Sequence, residues 1–256
     1  MDKIRTLNDF GNKPSEQKNT SNTGMEDKTQ KFLSENELSK KEPVNENDAE
    51  AKLESSNLFL TLGATNKEDA LKELYKKISN CKRCDLSKTK KNYVFGAGSP
   101  NAKIIFVGEA PGFWEDQKGE PFVGRAGKFL DTLLEHIGLK REDVYIANIL
   151  KRRPPENRDP TLNEIKACTP FLDELMNIIK PKIIAALGRH SMGYLFDKFN
   201  IKKEGISKIH GEHFTIENNQ AKFFLIALYH PAVALYNPNM RDILKKDFEK
   251  IKELLT

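Results

Sequence analysis

Cysteine is scarce in this chain: Cys81, Cys84 and Cys168 are the only three in 256 residues. An odd count that includes one C-x-x-C pair does not build a secreted disulfide scaffold; it suits a reducing compartment and a metal site. Long apolar runs are missing too. No stretch approaches the roughly 18 apolar residues of a membrane helix, and the opening MDKIRTLNDFGNKPSEQ carries no signal-type apolar core. A soluble cytoplasmic protein is therefore expected, with no membrane partner. No Walker P-loop is present, and no G-x-G-x-x-G opens a helix after a strand, which weighs against nucleotide hydrolysis and dinucleotide binding. Apolar residues are few in residues 1–56, where Asn, Ser, Thr, Glu, Lys and Asp dominate. Such a segment cannot bury enough surface to offset its ordering entropy. We read 1–65 as a disordered polar extension and 66–256 as the folded domain.

What is present is charge, unevenly placed. Residues 1–66 hold 9 Lys/Arg against 12 Asp/Glu, and residues 67–256 hold 33 against 25. A net-positive folded part suits an anionic partner such as a nucleic acid, and equally a solvated Lys-rich surface. Four apolar runs read as buried strands: Lys103–Gly108, Val144–Leu150, Lys182–Gly188 and Lys222–Tyr229. Amphipathic helical patterns accompany them over Asn66–Ile78, Ala126–Gly138, Thr161–Ile179 and Arg241–Leu255. Asn66 is placed to cap the first, and Thr161 with Glu164 forms a capping box at the third. Near-continuous apolar strands alternating with such helices predict an α/β fold: a mostly parallel four-stranded central sheet with helices on both faces.

Ligands of such sheets bind at the carboxyl ends of the strands. The first strand runs into Gly108-Glu109-Ala110-Pro111-Gly112, then Glu115 and Phe122. The second carries Asn148 and leads into a basic, Pro-stiffened loop with Arg152, Arg153 and Arg158, which suits phosphate contacts or plain solvation. The third opens a helix at Arg189. The fourth ends at His230-Pro231, followed by Arg241. A histidine at a strand end, on the same rim as three polar loops, is a candidate for chemistry.

The segments CKRCDLSKTKKNYVFGAGSPNAKIIFVGEAPGFWED, GEPFVGRAGKFLDTLL, YIANILKRRPPENRDP, IKPKIIAALGR and LYHPA, in this order and at this spacing, resemble the family-4 uracil-DNA glycosylases over about residues 75–250. The resemblance implies an enzyme that flips uracil out of DNA and hydrolyses its N-glycosidic bond, leaving an abasic site. It implies that Phe122 stacks on the base, that Asn148 reads its edge, and that Gly108 and Ala110 border it. By the same resemblance His230 is expected to stabilise charge on the departing uracil, Glu109 to lie beside the base, and Glu115 to position water or stabilise the sugar cation. Arg153, Arg158, Arg189 and Arg241 are the expected DNA contacts, and the chain is expected to act as a monomer. A binding module without turnover is the alternative.

The family carries a [4Fe–4S] cluster on four cysteines. Cys81, Cys84 and Cys168 match three, whereas Arg152 stands where the other is expected, and Arg cannot ligate iron. Three arrangements stay open: a cluster on three thiolates, a different fourth ligand, or an empty site. Zinc on the same cysteines is a further possibility.

Overall fold

In a computed structural model the described residues are 66–89, 91–217 and 222–255; the expectation for 1–65 lies outside them. The chain forms α1 (Lys67–Ser79), α2 (Leu86–Thr89), β1 (Ala97–Gly98), β2 (Ile104–Gly108), α3 (Phe113–Lys118), α4 (Arg125–His136) and β3 (Tyr145–Asn148). Then follow α5 (Leu162–Ile179), β4 (Ile183–Leu187), α6 (Arg189–Lys198), α7 (Ile206–Ile209), β5 (His213–Glu217), β6 (Lys222–Leu228), α8 (Val233–Tyr236) and α9 (Met240–Leu255).

The four apolar runs are the four central strands, in the order β3-β2-β4-β6 and all parallel. β2, β3 and β4 are buried at every position, because helices cover both faces. On one face Ile105, Val107, Ala147, Ile184 and Ala186 pack with Leu74 of α1, Leu172 and Leu175 of α5, and Phe196 of α6. On the other, Ile104, Phe106, Ile146, Ala185 and Leu228 pack with Leu130, Leu133 and Leu134 of α4 and with Leu244 and Phe248 of α9. The Phe106 and Phe248 rings stack at 5.6 Å. Each fully buried aliphatic or aromatic side chain contributes about 1.5–3 kcal/mol of transfer free energy.

Two edge strands complete a six-stranded sheet. β1 pairs antiparallel with β3, and β5 antiparallel with β6. Neither was expected from the sequence. β1 is two residues long and exposed, and β5 alternates exposed and half-buried positions, so neither carries a core-strand signature. The helix caps match expectation. Asn66 Oδ1 accepts from the Asp69 amide at 2.9 Å, and Thr161 and Glu164 exchange bonds at 3.3 and 2.8 Å. All four parallel strands point the same way, so Gly108, Asn148, Gly188 and His230 fall on one rim.

Candidate active site

The rim is assembled by backbone register. Gly108 pairs with Asn148 across β2 and β3, and the Ile149 amide donates to the Gly108 carbonyl at 3.0 Å. A Cβ on Gly108 would collide with Asn148 Oδ1 and with the Phe122 ring. Glycine is thus the residue that lets the carboxamide and the aromatic ring approach each other.

Phe122 sits at φ 53°, a left-handed conformation that is costly for a bulky residue. Its surroundings hold it there. Glu115 Oε1 accepts from the Val123 and Gly124 amides at 2.9 and 2.8 Å, and its Oε2 accepts from the Gly112 amide at 3.1 Å. The Arg141 guanidinium donates to the Pro121 and Phe122 carbonyls at 3.0 and 2.8 Å. Gly127 of α4 has no side chain to block the Phe122 carbonyl. Neither the brace made by Glu115 nor Arg141 was foreseen; both act on backbone groups, and residue type alone does not announce that.

Asn148 is buried, and its Oδ1 has no hydrogen-bond partner. Orphaned buried acceptors are rare because each costs about 1–3 kcal/mol. Beside it, the Phe122 and His230 rings face each other at 5.4 Å with a 29° tilt. His230 Nδ1 accepts from the Ala232 amide at 3.1 Å. A neutral ring that accepts at Nδ1 carries its proton on Nε2. Desolvation pulls the His230 pKa down to about 4, opposed by the nearby Glu115 carboxylate, so the ring is neutral at physiological pH. Gly188, at φ +89°, lies against the His230 Cβ and leaves it room.

Glu109 follows Gly108 and belongs to a second group. His190 Nε2 lies 3.8 Å from Glu109 and 3.4 Å from Asp159. Arg189 pairs with Asp159 at 2.5 Å. Burial pushes the Glu109 carboxyl up and Asp159 adds to this, while His190 and Arg189 oppose it. The sequence singled out neither His190 nor Asp159 as companions of Glu109; the pairing of β2 with both β3 and β4 brings the three loops together. Ala110 partly packs against the core below.

Among the expected DNA contacts, Arg153 lies over the Phe113 ring at 5.3 Å and bonds Asn157 at 2.8 Å. Arg158 is half-exposed and chelates Glu164 at 2.9 and 2.6 Å. Arg241 lies 6.0 Å from the Phe129 ring. Phe113 and Trp114 are exposed on the same lip.

The cysteines lie elsewhere, around a cavity between α1, α5 and the segment after β3. Its lining includes Cys81, Cys84, Cys168, Lys151, Arg152 and Phe171. The Lys151 amide donates to Cys168 Sγ at 3.2 Å, and Lys151 Nζ donates to the Asn148 carbonyl at 2.8 Å. Arg152 is 5% exposed. Its guanidinium donates to the Cys81 carbonyl and the Tyr93 hydroxyl and lies 4.2 Å from the Tyr93 ring centroid. Among the described residues, three ligand atoms gather within 4.8 Å of one another only at Glu109, Asp159 and His190. At least two of the three cysteine sulfurs therefore lie more than 4.8 Å apart.

The profile of the uracil DNA glycosylase superfamily matches residues 95–256. The chain is 48% identical over 186 residues to the type-4 uracil-DNA glycosylase of Archaeoglobus fulgidus, covering 73% of this chain and 94% of that protein. It is 49% identical to the enzyme of the same name from Saccharolobus solfataricus, over 73% and 88% of the two chains. With the one from Thermotoga maritima the identity is 38%, over 74% and 96%. No helix among the described residues is long and apolar enough to cross a membrane.

Proposed function

Because this chain belongs to the uracil-DNA glycosylase superfamily, we propose that it acts on DNA as a uracil-DNA glycosylase, cutting the bond between uracil and its sugar. The observation that carries this reading is the buried, unpartnered Oδ1 of Asn148 beside Phe122 and His230. Uracil presents N3–H, a donor that satisfies that acceptor. Cytosine presents a bare N3 there, and two acceptors would face each other in a dry site. Leaving buried polar groups unpaired is the strongest available basis for rejection.

The base leaves the stack before it can enter the pocket. Phe122 offers its face to the extruded ring. As the C1′–N1 bond breaks, its electron pair moves onto the base and spreads over O2. His230, neutral with its proton on Nε2, donates to that developing anion without itself carrying charge. Preorganised donors of this kind contribute about 3–4 kcal/mol. A water oxygen then bonds to C1′, and the proton it loses passes through solvent to the departed uracil anion. Glu115 has both carboxylate oxygens committed to backbone amides, so it acts by holding Phe122. Glu109, whose contact within the group is His190 at 3.8 Å, is the carboxylate available to the cationic sugar and its attacking water. Arg153, Arg158, Arg189 and Arg241 serve the phosphates, with Arg158 and Arg189 exchanging a carboxylate partner for one. The thiols suit a reducing, cytosolic setting. A [4Fe–4S] group at Cys81, Cys84 and Cys168 would fasten the segment after β3 to α5, and no step of the excision runs through it.

A labelled oligonucleotide with one uracil, treated with alkali after incubation, tests this. Strand cleavage with uracil but not thymine, lost in Asn148→Ala, supports the reading. Protein that binds the uracil strand without cleaving it overturns the enzyme and leaves a binding module.

A further inference from the structure

Two large aromatic side chains stand side by side in water at the lip of the pocket. Phe113 and Trp114 are 48% and 56% exposed, and their rings meet edge to face at 5.2 Å. Single exposed apolar side chains are ordinary, whereas an adjoining aromatic pair marks a contact surface. The helix beneath them, α3, is pinned from its other side. Glu115 accepts from the Gly112, Val123 and Gly124 amides, and buried Asp116 accepts from the Lys91 and Asn92 amides at 3.0 Å each. The pair therefore meets solvent from a fixed support, which lowers the ordering cost when something lies against it.

The neighbours of the pair say what that is. Trp114 Cδ1 lies 3.6 Å from the point where a Cβ on Gly124 would sit, and Gly124 is two residues from Phe122. From the segment after β3, the Arg153 guanidinium stands 5.3 Å from the Phe113 ring centre and is held by Asn157 at 2.8 Å. Arg125, exposed at the start of α4, directly follows Gly124. A phosphate complements the two arginines, and a base offers the flat π-face on which an aromatic ring stacks. A nucleotide next to an extruded one supplies both.

We propose that Phe113 and Trp114 form a stacking platform for an unpaired base next to the flipped uracil on the same strand, with Arg125 and Arg153 at its phosphates. The proposal rests on the reading of this chain as a protein that acts on uracil in DNA. In a single strand the neighbouring base is free to turn onto the platform. In a duplex it is already paired and stacked, so moving it costs what the platform returns. The platform therefore favours uracil in single-stranded DNA.

Trp114 is the one tryptophan of the chain, so tryptophan emission reports on the platform alone. The full chain is titrated with a labelled single strand holding one 2′-fluoroarabino-uridine, whose fluorine destabilises the sugar cation and blocks cleavage. A second strand differs only in baseless spacers on both sides of that uridine. The expected result is quenching of Trp114 by the first strand and little by the second at equal occupancy. By fluorescence anisotropy of the label, Trp114→Ala and Phe113→Ala each bind the first strand about 5- to 100-fold more weakly and the second strand as wild type does. Trp114→Phe keeps most of the affinity, and the alanine variants lose less on the matching duplex. Emission unmoved by the first strand overturns the proposal. So does an equal loss on both strands, which marks a contact with backbone instead of base, or a loss as large on the duplex as on the single strand. Excision of ordinary uracil, assayed beside these, separates the two readings. Excision with Trp114 emission unmoved sinks the platform and leaves the function; quenching that needs the flanking bases, without excision, sinks the enzyme and leaves the platform.

Discussion

The base pocket and the cysteine site are both fastened to β3, and they are built in opposite ways. In the pocket each group is fixed by backbone: Asn148 by strand register, Phe122 by the amides and carbonyls that Glu115 and Arg141 hold, and His230 by the Ala232 amide. What is left open there is one acceptor, Asn148 Oδ1. In the cysteine site three thiols and the Arg152 guanidinium line one cavity. The pocket performs a reaction whose transition state tolerates small errors poorly. Beside the cysteines, the Arg152 guanidinium ties the segment after β3 to the Cys81 carbonyl and to Tyr93, whose hydroxyl it bonds and whose ring it faces. Lys151 connects them, with its amide on Cys168 and its Nζ on the Asn148 carbonyl.

The sharpest way to break this contrast is to remove the open acceptor. Asn148→Ala is expected to lower kcat/KM for uracil excision on the order of 10⁴-fold, with little change in Tm; single-turnover kinetics and calorimetry check it together. Replacing the proposed charge-stabilising donor comes next. His230→Gln should cost about 10²- to 10³-fold in kcat, with KM nearly unchanged. The brace is smaller. Glu115→Gln turns one acceptor into a donor facing amides, and should lower Tm by roughly 4–8 °C and the excision rate roughly 10- to 100-fold. Full activity in that variant would show that Phe122 does not need its brace. The lip is smallest. Arg153→Ala should weaken binding to all DNA sequences alike and reduce the salt-dependence slope of binding by about one, measured by titration at several salt concentrations.

Much of the fold was legible because β2, β3, β4 and β6 are unbroken apolar runs, and because Asn66 and Thr161 cap their helices by local chemistry. The edge strands were not: β1 is two residues and β5 owes its existence to pairing with β6. In the pocket, the positions of Gly108, Phe122, Asn148 and His230 could be read from strand ends and from resemblance. The work of Glu115 could not. A carboxylate between glycines looks catalytic, and only the fold shows it facing three amides. The same holds for His190 and Asp159, which are 31 residues apart in chain and join Glu109 only because β2 pairs with β4 on one side and with β3 on the other. The substitution at Arg152 was plain in the sequence, whereas its contacts with Tyr93 and the Cys81 carbonyl belong to tertiary structure.

The account stands most directly on a neutral His230 that donates from Nε2. Folding holds its pKa near 4 instead of 6.5, so in that window the unfolded chain binds a proton that the native ring does not. The resulting stability is complete above about pH 6.5 and is lost as pH falls toward 4. The deciding measurement is the single-turnover excision rate between pH 4 and pH 9, for wild type and His230→Gln. The expected profile shows no step near 6.5 that depends on His230, and a His230-dependent loss of rate only as pH nears about 4. A step near pH 6.5 that disappears in His230→Gln would contradict the neutral donor.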